Sequence, residues 1–593
     1  MKKTTLTTWA LGILMALTAC SAEDPIESYY NQYGNNPGTE GPGGFMGGST
    51  GSATVGSGEL VSFDITLDKT TAEPTTTVAE YFPEEEDNLD NNSFTTQVNI
   101  DLSNPTAKTE NGVTITVNGG HITANHGTTK NICYVVSGTT DNGSFTVMGD
   151  KKYEIILNGA TIVNPDSAAL NLLSGKRAYI VLADGTSNKL TDGTSSKNSH
   201  KGTLYCKGKL LFNGSGSLEV YGNYANAIHS ADYIVFRKGN NIYAKSTAKN
   251  GIKANDGIFI NGGILNVEVS AAGAKGINCE DDIIINGGRT SVIATGNGTW
   301  DTDDLETKGA AAIKSDSILT VNGGELYLKA TGSGGKGLKA DWEAYINGGK
   351  MRIVTTGNLY YSNGTTENHN YTGNTDNLAD AYTSSPKGIK VGTKNVHGVL
   401  NITGGDIMVR TSGNNAEGIE SKGTLTITSG DIQVSAHDDA INSSSDLTIS
   451  GGNVVAVGTS NDGIDTNGNL YIKGGTLVAI GSGGAETGID IDEQHKLYIS
   501  GGNIFGIGGR IDGNLGSTTQ GVATTSGSIQ ANGTVTIANG STTLATFNMP
   551  PYSYNNGSIL VSAPGMTSGS SYTLNLGSQS KTITATNTIN SRF

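Results

Sequence analysis

Short apolar stretches alternate with polar turns along most of the chain. From Val113 onward, segments such as Val113-Thr114-Ile115-Thr116-Val117 place apolar residues at every second position. This period is typical of strands that bury one face. Between these segments the sequence lacks the apolar spacing of an amphipathic helix of about ten residues or more. The pattern therefore predicts an all-β chain.

Two markers divide these strands at a nearly constant interval. One is a Gly-Gly turn, found at Gly262-Gly263, Gly287-Gly288, Gly323-Gly324 and Gly348-Gly349 and again from positions 404, 451, 474 and 501. The other is a small residue followed by Ile or Leu, at Ala227-Ile228, Gly251-Ile252, Gly276-Ile277, Ala312-Ile313, Gly337-Leu338, Gly388-Ile389, Gly418-Ile419, Ala440-Ile441, Gly463-Ile464 and Gly488-Ile489. A helix-free unit of about 22 to 25 residues, with three strands and three turns, predicts a parallel β-helix over residues 111–526.

Two intervals between markers are longer than the rest. The extra length is about 11 residues near 298–308 and about 26 residues near 360–385. Both insertions fall between the strand that follows a Gly-Gly turn and the next marker. We therefore expect both loops to leave the solenoid along one edge.

The N-terminus has the pattern of a targeting segment. Lys2 and Lys3 precede an apolar run that is too short to span a bilayer, and Leu17-Thr18-Ala19-Cys20 resembles a bacterial lipoprotein box. Residues 1–20 are thus predicted to be a signal peptide, with lipidated Cys20 anchoring the protein in the cell envelope. The acidic residues that follow Cys20 resemble a surface-export signal. This resemblance predicts that the anchored protein is exposed on the surface of the outer membrane. The alternative is an ordinary secretion signal with an incidental cysteine.

Three further segments lie outside the repeat. Residues 21–60 are rich in Gly, Asn, Pro and Ser, which predicts a flexible tether. Residues 61–110 are predicted to form an N-terminal cap over the first coil. Residues 527–593 lose the markers but keep alternating strands, which predicts a small C-terminal β cap over the last unpaired edge.

Composition narrows the possible partners. Glycine supplies 85 of 593 residues, which suits a chain with very many turns. The net charge is -16 and the isoelectric point is near 5.0, so nucleic acid is excluded as a partner because its phosphates require a basic surface. Cys133, Cys206 and Cys279 are too scattered for a disulfide framework and are expected to be buried. We expect a monomer.

The charged residues beside the second marker form two ladders. In a β-helix, equivalent side chains of successive coils lie about 4.8 Å apart. The position before the small residue contains Asn250, Lys275, Ala311, Lys336, Lys387, Glu417, Asp439, Asp462 and Thr487. The position after the apolar residue contains Lys253, Asn278, Lys314, Lys339, Lys390, Glu420, Asn442, Asp465 and Asp490. Both ladders change from basic to acidic along the chain.

The acidic half predicts a cation site. Two like charges about 5 Å apart repel by roughly 3 kcal/mol at an effective dielectric constant near 20, and a hard cation relieves that repulsion. Calcium accepts carboxylate, amide and main-chain oxygens in flexible geometry. The candidate ligands are Glu417, Glu420, Asp438, Asp439, Asn461, Asp462, Asp465 and Asp490. The alternative is a solvated acidic face.

The basic half predicts an anionic ligand, such as the carboxylates of a uronate chain laid along the coils. Its candidate contacts are Lys314, Lys336, Lys339, Lys387 and Lys390. Four aromatic residues lie beside these lysines or in the insertions, and their rings suit sugar faces: Trp300, Trp342, Tyr360 and Tyr361. The alternatives are lysines that only keep the rod soluble and aromatic side chains that only pack the loops.

The run Leu182-Ala183-Asp184-Gly185-Thr186, continued by Asn188 and Leu190-Thr191-Asp192-Gly193, resembles a signature of the Clostridium-type carbohydrate-binding parallel β-helix lipoprotein family. Both marker series and the terminal Ser558-Ile559-Leu560-Val561-Ser562-Ala563-Pro564 are also similar to that family, over roughly residues 98–580. The resemblance implies a right-handed β-helix of pectate-lyase shape that binds calcium and plant polysaccharides without established catalysis. Asp439 with Asn461-Asp462 and Asp465 resembles the calcium site of the family-nine pectate lyases, but Asn461 stands where an Asp is expected.

Three functions follow as hypotheses. The first is a surface-anchored protein that binds plant-type glycans, cellulosic or pectic, together with calcium and without catalysis. The second is a calcium-dependent polysaccharide lyase, in which neutral Lys390 or Lys422 removes the proton beside the uronate carboxylate. The third is an adhesin or structural stalk.

Overall fold

The computed structural model describes residues 53–589 except positions 71, 196, 198, 374, 376, 377, 512 and 513. The predicted signal peptide, Cys20 and most of the predicted tether lie outside the described residues. Every element below belongs to one compact unit, formed by the described residues of 47–372 and 379–593. Within the described part of the chain, no helix is long and apolar enough to cross a membrane.

The protein is all-β, with 52% of residues in strands and 2% in helices. Each repeat contributes three strands. The first strand carries the small-residue and Ile marker and belongs to a 15-stranded sheet, which we call the marker sheet. Its strands are Lys108–Glu110, Val113–Asn118, Gly120–Asn125, Gly143–Met148, Leu170–Leu172, Gly202–Cys206, Asn226–Ser230, Ile252–Ala254, Lys275–Cys279, Ala311–Ser315, Lys336–Ala340, Lys387–Val391, Glu417–Ser421, Ile441–Ser443 and Ile464–Thr466.

The second and third strands of each repeat belong to a 31-stranded sheet. The sheet begins with Thr96–Asp101, Ile132–Thr140 and the long Tyr153–Asn164. The second strands are Ala178–Leu182, Leu210–Gly214, Ile234–Phe236, Ile258–Ile260, Ile283–Ile285, Ile318–Val321, Glu343–Ile346, Val399–Ile402, Thr424–Ile427, Leu447–Ile449, Leu470–Ile472 and Lys496–Ile499. The third strands are Ser187–Asp192, Ser217–Gly222, Asn241–Ser246, Ile264–Val269, Arg289–Ala294, Glu325–Ala330, Lys350–Thr355, Asp406–Thr411, Asp431–Ala436, Asn453–Gly458, Thr476–Ile480 and Asn503–Gly508.

Equivalent strands of successive repeats pair in parallel. Ile228 lies opposite Ile252, which lies opposite Ile277, and the same register continues through Ile313. These marker side chains are fully buried in one continuous core. Parallel stacking of a three-strand unit with a buried isoleucine column is consistent with the predicted β-helix-like solenoid.

The small residue of the marker is explained by close packing inside the coils. A Cβ added to Gly337 meets the side chain of Ile353 at 2.2 Å and the Gly388 carbonyl at 2.6 Å. In the Gly-Gly turns the second glycine has positive φ, as Gly288 does at 75°. Its added Cβ meets the Gly263 carbonyl of the preceding coil at 2.5 Å. Both markers therefore allow coils to approach closely.

The predicted N-terminal cap, residues 61–110, divides into two parts. Thr96–Asp101 and Lys108–Glu110 lie at the start of the two sheets, whereas the chain before them runs along the outside of the coils. Ala53–Val55 pairs antiparallel with Tyr552–Ser562, near the C-terminal end of the stack. From there the chain runs back along the outside of the coils, where Asp64 pairs with Lys329 at 2.7 Å. It reaches the first coils at Asp87, which accepts from Arg177 at 2.7 Å. This segment contains the helix Glu59–Ser62 and the 3-10 turns Glu85–Asp87 and Leu89–Asn91.

The C-terminal residues cover the last coil. The strand Tyr552–Ser562 pairs antiparallel with the third strand of that coil and with Val522–Ile529. A short strand, Asn514–Leu515, follows the last coil. The remaining strands form a four-stranded antiparallel sheet: Thr534–Asn539, Thr542–Asn548, Ser571–Leu576 and Gln579–Thr584.

The two insertions form small sheets on one side. Thr299–Asp301 and Glu306–Lys308 make a hairpin, and Tyr360–Ser362 pairs antiparallel with Glu367–Asn368 and Thr383–Ser384, the last of which follows the 3-10 turn Asp380–Tyr382. The Thr307 hydroxyl donates to the Thr383 carbonyl at 2.7 Å, which joins the two insertions. Cys133, Cys206 and Cys279 are buried and free, as predicted.

Candidate functional site

The two predicted ladders exist in the predicted register. Lys336 lies opposite Lys387, which lies opposite Glu417. Three residues later in each strand, Lys339 lies opposite Lys390, which lies opposite Glu420. We call the outward side chains of the marker sheet from Asn250 to Asp490 the charged face. Because parallel strands repeat at about 4.8 Å, this face carries rows of charge along the coils.

Several lysines of the charged face are paired with carboxylates. Asp341 forms ion pairs with Lys314 at 3.0 Å and with Lys339 at 2.8 Å. Burial opposes ionisation of Asp341, but the two ammonium groups more than offset it and lower its pKa. Lys253 pairs in the same way with Glu280 at 2.7 Å. The basic ladder is therefore largely neutralised within the face.

Sequence reasoning missed a third outward row. Glu280, Asp316 and Asp341 stand two residues beyond the second ladder, on the same side of their strands. Period two alone points to these positions, because every second residue of a strand faces outward. The row is acidic beside Lys314 and Lys339, and it becomes basic at Lys422, where the second ladder becomes acidic.

The junction of the basic and acidic halves is a buried ion network. Glu420 is 2% exposed and forms ion pairs with Lys390 at 2.9 Å and with Lys422 at 2.6 Å, while Lys387 contacts Glu417. Burial opposes ionisation of Glu420, but the surrounding lysines hold its pKa well below the usual range. The Glu420 charge in turn raises the pKa of Lys422. Lys390 and Lys422 both pair with Glu420, so either lysine would have to leave this carboxylate to act as the base of the lyase hypothesis.

Two ladder lysines are not available to a ligand from solvent. Lys336 is 7% exposed and donates to the Gly334 carbonyl at 2.8 Å and to the Ser384 hydroxyl, which the second insertion supplies. Burial holds the pKa of Lys336 well below its ordinary value. Lys387 is also buried. The predicted ligand contacts are thereby reduced to the partly exposed Lys314, Lys339 and Lys390.

The acidic half contains buried carboxylates at close range. Asp439 accepts from the Asp462 amide at 3.1 Å, and Asp462 accepts from the Thr487 amide. The pKa of both aspartates is raised well above the usual range by burial and by neighbouring carboxylates. Asn442 bridges this pair to Asp465, donating to its carboxylate at 2.9 Å. These residues come together as the sequence predicted.

Glu486 is a further acidic residue that the sequence analysis did not select. It precedes the ladder position Thr487, as Asp438 precedes Asp439 and Asn461 precedes Asp462. Burial, opposed by Arg510, raises the pKa of Glu486 to about 7. Asn461 donates to Asp438 at 2.9 Å, which links two of the residues that directly precede ladder positions.

The side-chain oxygens of the acidic half are of the kind that binds a hard cation, but their positions suit such an ion less well. Carboxylate and amide oxygens dominate the acidic half, and the buried Oε2 of Glu417 is without a hydrogen-bond partner. Yet within the described ranges, no three His, Cys, Asp or Glu side chains are grouped closely enough to hold a metal ion. A calcium ion there needs asparagine, main-chain or water oxygens to complete its shell, which calcium accepts. Glu417 and Glu420 are already engaged with lysines.

The aromatic candidates divide into one exposed ring and a packed cluster. Trp342 is 53% exposed beside Asp341. Tyr360 is fully buried and donates to Glu367 at 2.6 Å, which corrects its assignment as a sugar contact. Tyr361 stacks on Tyr371 with ring centroids 4.9 Å apart. The ring centroids of Trp300 and Tyr382 are 5.9 Å apart. Most aromatic side chains of the insertions therefore pack against one another.

Comparison with known proteins identifies the family to which the chain belongs. The model of the carbohydrate-binding domain-containing proteins matches residues 109–364, 241–457 and 371–550, which together cover most of the chain. The protein belongs to this carbohydrate-binding family. The family resemblance expected from the sequence is thus confirmed, and the matched residues include the whole charged face.

Two similar proteins overlap with this chain over a more limited length. A carbohydrate-binding domain-containing protein of Acetivibrio thermocellus is 31% identical over 120 residues, which make up 19% of this chain and 42% of that relative. A solved structure of a polysaccharide lyase-like protein from C. thermocellum, a gadolinium derivative, is 20% identical. The match covers 44% of this chain and 90% of that one, with a TM-score of 0.32. A likeness this weak supports no conclusion about activity.

Proposed function

We propose that this protein is a non-catalytic, surface-anchored polysaccharide-binding protein whose charged face takes an acidic, uronate-type chain. The single observation that carries the proposal is the partly exposed row of Lys314, Lys339 and Lys390 with the exposed Trp342 beside it, in a member of a carbohydrate-binding family. An ammonium group has three N–H donors. A ligand carboxylate can therefore share a lysine that Asp341 or Glu420 already holds.

Trp342 provides the apolar part of such a site. An indole ring buries the apolar face of a sugar ring, and its edge tolerates water. Neighbouring ladder lysines repeat along the coil axis, so a chain lying parallel to that axis meets several in succession. The ion pairs within the face keep the lysines extended and ordered before binding, which reduces the entropy lost on association.

Calcium belongs to the acidic half in this proposal. Asp439, Asp462, Asp465 and Asp490 would hold it with Asn461. Burial, together with repulsion from neighbouring carboxylates that a cation relieves, raises the pKa of Asp439 and Asp462. A bound ion supplies positive charge next to the basic ladder. It also stiffens the coils that carry Glu417 and Glu420.

The handedness of the solenoid and the cellular location of the protein are further parts of the proposal. We infer a right-handed parallel β-helix, since parallel crossover connections strongly prefer that hand. Lipidation at Cys20 would hold the monomer at the outer-membrane surface, where it meets extracellular glycans. Membrane retention of the wild-type protein, lost in Cys20→Ala, tests the anchor.

One experiment separates this function from its alternatives. Purified protein is run through native gels with and without polygalacturonate, in calcium and in chelator, and the same mixtures are followed for ultraviolet absorbance of an unsaturated product. Retardation without product formation is the expected result. Steady product growth favours the lyase, and unchanged mobility with polygalacturonate and with neutral glycans favours the stalk.

A further inference from the structure

A second outward row runs along the coils on the 31-stranded sheet. It consists of the central outward residues of the second strands, and register places each opposite the next. In order these are Tyr179, Leu211, Val235, Phe259, Ile284, Thr320, Tyr345, Asn401, Thr426, Thr448, Tyr471 and Tyr498. The row thus passes from apolar to polar along the chain.

The first five positions of this row are covered by the chain itself. Phe82, Leu89 and Phe94 of the N-terminal segment pack against them in a separate small apolar cluster. The ring centroids of Phe94 and Tyr179 are 5.2 Å apart, and those of Tyr81 and Phe259 are 5.3 Å apart. The apolar part of the row is therefore an internal interface.

The remaining seven positions have a different chemistry. We call them the neutral row: Thr320, Tyr345, Asn401, Thr426, Thr448, Tyr471 and Tyr498. Each is uncharged, carries a hydroxyl or amide group and is partly exposed. At about 4.8 Å per coil, seven positions span roughly 29 Å. This length accommodates several sugar units of an extended chain.

The neutral row is held in a fixed arrangement. Tyr471 and Tyr498 stack with centroids 4.9 Å apart, and a Cβ on Gly516 would come within 2.3 Å of the Tyr498 ring. Beside the row, Asn347 donates to Asn322 at 2.9 Å, and Thr403 donates to Asn347 at 2.8 Å. Threonine and stacked tyrosine lose little rotamer entropy on binding. The row is thereby preorganised to present hydroxyl and amide groups at a regular spacing.

We propose that the neutral row is a second glycan-binding face, which takes an extended neutral polysaccharide lying along the coils. Its hydroxyl and amide groups donate to and accept from sugar hydroxyls. None of the seven side chains is itself charged, although the Lys473 ammonium lies over the Tyr471 ring, 5.4 Å from its centroid, near one end of the row. Acidic chains bind the charged face instead. This assignment rests on the proposed function only in that the protein binds polysaccharide.

The test uses Thr448→Glu, which places a charge in the middle of the neutral row, and Thr426→Glu as a second variant. Thr543→Glu adds the same charge to an exposed strand of the C-terminal sheet and serves as the matched control. Amorphous cellulose is the neutral probe, in pull-down, and polygalacturonate is the acidic probe, in native gels. Thermal melting verifies that each variant is folded.

We expect Thr448→Glu and Thr426→Glu each to weaken retention on amorphous cellulose about tenfold relative to Thr543→Glu, with equal mobility in polygalacturonate gels. Equal retention of all three variants overturns the assignment of the row. Wild-type protein that binds polygalacturonate but not amorphous cellulose also overturns it and leaves the proposed function standing. Wild-type protein that binds neither probe refutes both.

Discussion

The ammonium group of Lys390 lies 2.9 Å from Oε2 of Glu420 on the next coil, where the basic and acidic halves of the charged face meet. Lys422 contacts the other oxygen of the same carboxylate at 2.6 Å. The junction is therefore closed by internal ion pairs. A ligand binds the charged face through the lysine N–H donors that these ion pairs do not use.

Glu420→Gln is expected to destabilise the junction strongly. The change leaves Lys387, Lys390 and Lys422 close together without the carboxylate that neutralises them. Removing one partner of a buried ion pair typically costs about 3 kcal/mol or more in the free energy of unfolding. Hydrogen exchange of the amides in 417–421 measures the local loss. Glu110→Gln, which removes the exposed partner of Lys108, is the control and should change little. Equal protection in both variants would contradict this account.

Lys275 is expected to make stability depend on pH. Burial, with the charges of Lys314 and Lys339, lowers its pKa to about 7 in the folded protein, from an ordinary value of 10.5. Between these values the unfolded chain binds more protons, so the contribution of this group to stability rises with pH from about 7 toward about 10. Lys275→Met should remove that increment, measured by urea unfolding at the two ends of the range. Lys253→Met, whose parent amine pairs with Glu280, is the control. An unchanged slope in Lys275→Met would show that the amine is not desolvated.

Gly418→Val is expected to disrupt the stack. An added Cβ at Gly418 comes within 2.2 Å of the Val434 side chain and 2.4 Å of the Ala440 carbonyl. Overpacking of this kind typically costs about 1 to 3 kcal/mol. Gly175→Ala is the control, because a Cβ there meets nothing within 4 Å. A shift in the urea unfolding midpoint tests both, and equal midpoints would mean that neighbouring coils can separate at little cost.

Calcium is expected to stabilise the acidic half. Adding calcium to chelator-treated protein should raise the melting temperature, because the ion offsets repulsion between Asp439 and Asp462. Asp462→Ala should lower the calcium stoichiometry seen by calorimetry, and Asp166→Ala, in an exposed ion pair, should not. Unchanged stoichiometry in Asp462→Ala would place the ion elsewhere.

The register of the charged face was predictable because it depends on local signals. Each small residue and isoleucine sits at a fixed phase of a period-two strand, so Lys336, Lys387 and Glu417 had to stack once the coils were in phase. The partners of the lysines could be found by the same period, but Asp341 lies beyond the two positions that flank the marker.

Other features leave no periodic trace in the sequence. The course of the N-terminal segment depends on contacts such as Asp64 with Lys329, which are 265 residues apart. Nothing in the composition of the segment indicates them. The aromatic residues of an insertion have the same sequence whether they pack or bind, so the burial of Tyr360 and the exposure of Trp342 emerged only from the folded structure.

The most direct test of the central claim is the mobility of Trp342→Ala in native gels that contain polygalacturonate. Losing the exposed indole of Trp342, which follows the Lys339 partner Asp341 in the chain, should weaken retardation about tenfold, since a stacking contact contributes on the order of 1.5 kcal/mol. Met148→Ala, which removes an exposed apolar side chain from an early strand, should behave as wild type. Equal retardation of Trp342→Ala and Met148→Ala would contradict binding at the charged face.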